Sequence, residues 1–103
     1  MEQTLLKVKN LEKFVEKYGE DTYFSQTISK MLAYKAQNYA NEIERLNGQL
    51  KKFEQAYEKD SQVFYKEFKE GKLGDEMDFI EWSSLYRIYN SLLEKKEELE
   101  GIK

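Results

Sequence analysis

Residues Leu32 to Tyr57 read LAYKAQNYANEIERLNGQLKKFEQAY, and their spacing decides the fold. Leu32, Ala36, Tyr39, Ile43, Leu46, Leu50, Phe53 and Tyr57 recur at steps of 4, 3, 4, 3, 4, 3 and 4. A heptad repeat of this kind places its apolar side chains in one stripe along an α-helix, and the stripe has to be buried against other helices. Asn47-Gly48 sits inside the stretch, where glycine costs about 1 kcal/mol. The stripe keeps its phase across the pair, so the spacing predicts one helix with a soft spot rather than two helices and a turn. At about 1.5 Å per residue the stretch is roughly 38 Å long, close to the diameter of a compact domain of this size.

The flanking sequence offers partners for that stripe. Proline is absent and glycine occurs only at 19, 48, 71, 74 and 101, so long helices run unbroken. A first helix is expected from Gln3 to Tyr18, with Leu5, Val8, Leu11, Val15 and Tyr18 on one face. Gly19 is expected to end it, and Asp21 or Thr22 to cap the next helix. A short third helix, Ser61 to Glu70, carries Phe64, Tyr65 and Phe68 on one side. The last runs from Phe79 to about Glu98. The expectation is an all-α bundle of about four helices in a single domain, 1–103, with the heptad seam 32–57 on its long central helix. The first and last helices are long enough to cover that seam within one chain, which leaves a homodimer open but not required.

Composition narrows the function. The 103 residues are 36% charged, 40% hydrophobic and 15% aromatic, with net charge −3. That balance supports a folded core and disfavours binding to nucleic acid or an anionic membrane, both of which need excess Lys and Arg. There is no cysteine and no histidine, so disulfides, thiol chemistry, the usual neutral-pH base and the commonest transition-metal ligands are missing. The longest apolar run is four residues, MLAY, too short for a membrane span or a signal peptide. These features point to a cytoplasmic protein without cofactor that is not an enzyme and works by binding another protein.

The segment GDEMDFIEW, Gly74 to Trp82, concentrates four carboxylates ahead of the only tryptophan. With Asp78 as N-cap, Glu81 falls at N3 in a capping box, and Met77 and Trp82 are placed for a hydrophobic staple. Asp75 and Glu76 then lie by the positive end of the helix dipole. The segment does not fit a calcium loop, and no phosphate-binding loop accompanies it. Its functional reading is a contact surface for a basic protein, built from Asp75, Glu76, Phe79, Trp82 and Tyr86. The final helix is apolar over about half its circumference, which means deep burial or an edge left for a partner. Tyr34, off the seam, is expected to be exposed and is a further candidate contact.

The stretch from Leu50 onward also resembles a group of small helical proteins of archaea and bacteria. Their pattern reads here as Phe53 and Tyr57, then Ser61, Phe64, Tyr65 and Phe68, then Gly71, Leu73, Gly74, Asp75, Asp78, Phe79, Glu81 and Trp82. Genes for such proteins often lie beside those of toxin-type nucleases. The resemblance therefore implies an antitoxin-like protein that neutralises a partner such as a basic ribonuclease-type toxin. No basic helix-turn-helix of the kind used for autoregulation is present. The alternative expectation is a structural coiled-coil-type homo-oligomer, or a subunit of a larger assembly, joined along the 32–57 seam.

Overall fold

The seam is carried by a single helix that runs uninterrupted through Asn47 and Gly48. The computed structural model describes residues 2–101. Among these, four helices account for 86% of the residues, and there are no strands: α1 (Glu2–Tyr18), α2 (Thr22–Tyr57), α3 (Ser61–Lys69) and α4 (Met77–Glu100). The fold is all-helical, as the spacing predicts. Within the expected span of 1–103, the residues cluster into two compact units, one up to Met31 and one from Leu32 onward.

In the first unit α1 folds back on the opening turns of α2. Gly19, at φ 85°, ends α1 in a left-handed conformation and donates its N–H to the Val15 carbonyl at 2.8 Å. Asp21 then caps α2, its Oδ1 accepting the Phe24 N–H at 2.8 Å. This satisfies one of the donors that a helix start leaves unpaired. Phe14 meets Phe24 edge-on, with ring centroids 6.0 Å apart. No residue of α1 is buried.

The second unit has an aromatic core. Leu50, Phe64 and Trp82 are buried together, with Phe53, Phe68, Phe79, Leu85 and Tyr89 packed around them. Leu46 and Ala36 on the seam are buried as well. Tyr57 touches Phe79 and Trp82, while Phe53, one helical turn earlier, touches Trp82. Contacts that step back along α2 as they step forward along α4 make the two helices antiparallel. α4 thus supplies cover for the C-terminal part of the seam from within the chain.

Two tight connections bring α3 and α4 into position. α2 ends at Glu58, which takes a positive φ of 49°, and the Lys59 N–H closes back on the Glu54 carbonyl at 3.1 Å. Glu54 does a second job: its carboxylate accepts the Ser61 N–H at 2.9 Å, tying the start of α3 to α2. Lys59 also pairs with Glu67 across α3 at 2.5 Å. At the far end of α3, Gly71 (φ 75°) repeats the closure, with the Lys72 N–H donating to the Glu67 carbonyl at 3.0 Å.

Candidate functional site

The start of α4 holds the residues singled out by the sequence, but in a different register. Glu76, not Asp78, is the N-cap: its backbone is extended, and its carbonyl accepts the N–H groups of Phe79 and Ile80, each at 3.0 Å. No side chain caps the helix. The expected capping box of Asp78 and Glu81 is therefore not formed, because Met77 and Asp78 are already helical. Asp78 lies in the first turn, where a carboxylate still favours the positive end of the dipole.

The Asp78 carboxylate is engaged elsewhere. Its Oδ2 accepts the Tyr57 hydroxyl at 2.6 Å, joining the start of α4 to the end of α2. That hydrogen bond, helped by partial desolvation and by the charges of Asp78 and Glu76, raises the Tyr57 phenol above its ordinary pKa. Tyr57 is the donor of this pair and keeps its proton to higher pH than an ordinary phenol.

Trp82 is not a surface residue. It is 0% exposed, its indole N–H donates to Ser61 Oγ at 2.8 Å, and Phe64 stacks on it at 3.8 Å with the planes 4° apart. Phe53 lies nearly parallel to it at 5.5 Å. A buried tryptophan needs a partner for its N–H, and the serine that opens α3 supplies one. This corrects the expectation that Trp82 contacts a partner: its surface is spent inside the domain. The Met77–Trp82 staple is likewise excluded as the role of Met77, which is 81% exposed.

The other expected contacts divide. Asp75 and Glu76 are exposed, as a docking surface requires. Phe79 is half-buried, its ring against Tyr57 and Phe64, and Tyr86 is half-buried against Tyr65. Tyr34 is 70% exposed. It stands 23 residues before Tyr57 on α2, roughly 35 Å along the helix, so it does not join the acidic end in one surface. What the sequence reading missed is the exposed apolar pair Met77 and Ile80, set among Asp75, Glu76, Asp78 and Glu81. Their alternation with acids was the available signal.

Beside this segment α2 and α4 leave an open cleft of about 580 Å³, lined by Gln49, Lys52, Phe53, Ala56 and Tyr57 from α2 and by Asp78, Glu81 and Leu85 from α4. Its two carboxylates and aromatic wall, set against the one cation Lys52, can receive an ammonium or guanidinium group. Among the described residues no group of three or more carboxylates is arranged to hold a metal ion, and no helix is long and apolar enough to cross a membrane.

The residues quoted for the family resemblance converge here. Phe53, Tyr57, Ser61, Phe64, Phe68, Phe79 and Trp82 belong to one linked cluster of ring contacts and the indole–serine hydrogen bond, with Asp78 tied on through Tyr57. Much of that pattern thus builds the scaffold, and its acids form the exposed rim. Comparison with models of known families, with curated proteins and with solved structures finds no match to the chain.

Proposed function

We propose that this protein is a non-catalytic binding module, antitoxin-like in action, that docks a basic partner protein on the acidic start of α4. The supporting observation is the exposed cluster Asp75, Glu76, Asp78 and Glu81 around Met77 and Ile80, mounted on a helix fixed from behind by Trp82. An apolar centre with a charged rim is the common anatomy of a protein interface. The rim acids speed encounter with a cationic surface, while Met77 and Ile80 hold the complex. A toxin-type ribonuclease, basic because it binds phosphates, fits that requirement.

The test uses the product of the adjacent gene as the candidate partner. Asp75→Lys with Glu76→Lys should slow association roughly tenfold at low ionic strength, with a much smaller change in dissociation. Unaltered Trp82 emission would show that the fold is intact. An association rate that ignores both the substitutions and the salt would remove the acidic rim from the interaction. The alternative, an oligomer joined along the 32–57 seam, has less surface at its disposal because Leu46 and Leu50 are already buried.

A further inference from the structure

The first unit carries a surface that the α4 site does not use. α1 and the opening turns of α2 leave an open groove of about 310 Å³ between them, walled by Val8 and Leu11 on one side and by Tyr23, Ile28 and Met31 on the other. Lys7 is the only charged side chain on its lining. We infer that this groove is the contact surface for a second copy of the same chain, two α1–α2 hairpins packing face to face into a four-helix bundle.

Three observations lead there. First, no residue of α1 is buried, although its apolar residues follow helical spacing. A 17-residue helix is marginal in water unless an apolar face is covered. Second, the exposed area matches what a dimer needs. Val8, Tyr23 and Met31 on the groove, with Phe14 and Tyr18 continuing it through the Phe14–Phe24 contact, are 48% to 70% exposed. Taking about 150–200 Å² per fully exposed side chain, they offer roughly 550 Å². A standard interface of ~800 Å² per partner, about 65% apolar at its core, needs a similar amount.

Third, the charges are self-complementary. Through Met31 the sequence carries five lysines and five acids, so the whole net charge of −3 resides from Leu32 onward. Within the hairpin the signs separate. The connection between the helices is net negative, with Glu16, Glu20 and Asp21 against Lys17, and the open end is net positive, with Lys7, Lys9 and Lys30 against Glu2. A two-fold antiparallel pairing sets each acidic end against the other copy's basic end, whereas a parallel pairing sets like against like.

Sedimentation of the full chain at micromolar concentration should give a dimer, and a monomer throughout that range would overturn the inference. Val8→Glu with Met31→Glu should weaken the dimer roughly 100-fold or more, because both charges would be buried in an apolar contact. Trp82 emission, which reports only on the second unit, should not change. A variant that stays dimeric would place the contact elsewhere and overturn the proposal. Should those substitutions also disturb Trp82, charge reversal decides. A Lys7→Glu, Lys9→Glu chain and a Glu16→Lys, Glu20→Lys chain should each dimerise poorly alone and pair with one another when mixed. Absence of that preference would rule out the antiparallel arrangement. None of these changes touches residues 75–81, so failure here is distinguishable from failure of the α4 docking surface.

Discussion

Asp78 illustrates how one side chain is claimed by two neighbourhoods. Locally it sits three residues ahead of a glutamate in a capping pattern; in the fold, the hydroxyl of Tyr57, distant in sequence, takes its carboxylate. If the tertiary contact governs, Asp78→Ala should lower the unfolding midpoint in the native background and have a clearly smaller effect once Tyr57→Phe is present, the remainder being its interaction with the helix dipole. A capping role would instead leave the two effects additive. The raised phenol pKa fixes the sign of a pH effect. Stabilisation from the pair is complete below the unfolded phenol value of about 10, and it is lost as pH climbs through the higher folded value. In an absorbance titration Tyr57→Phe should therefore remove a phenol that ionises late; an unchanged alkaline limb would contradict the bond.

Among elements, α2 was the most legible in the sequence, because its signal is periodic and long. Gly19 and Asp21 were legible for a related reason: stop and start chemistry is local, and each residue is used as its type predicts. Gly48 follows the same logic. It lies inside α2 with nothing within 4 Å of where a Cβ would stand. Gly48→Ala should thus raise stability by about 0.5–1 kcal/mol in chemical denaturation. A loss of stability would mean that this stretch is not regular helix. The start of α4 was harder to place, since a capping box and a Glu76 N-cap differ by two residues and the Tyr57 contact that engages Asp78 is tertiary. The acidic half of the candidate site was visible in composition. Its aromatic half was not, because the broad apolar arc of α4 favours deep burial and is also compatible with partner contact. The position of Ser61, which receives the indole N–H, decides between them.

At the scale of the whole molecule the labour is divided. The residues from Leu32 onward form an aromatic core and hold the acidic rim in place, while those up to Met31 carry a barely buried hairpin of balanced charge with an apolar groove. The proposed α4 surface depends on what the core has already consumed, and that core is organised about Trp82. Acrylamide quenching of that single tryptophan tests this premise on the intact protein. Emission should be blue-shifted and strongly protected from the quencher, at unchanged strength in the Asp75→Lys, Glu76→Lys variant. Quenching at the rate of free indole would place Trp82 at the surface and contradict the assignment of the α4 face.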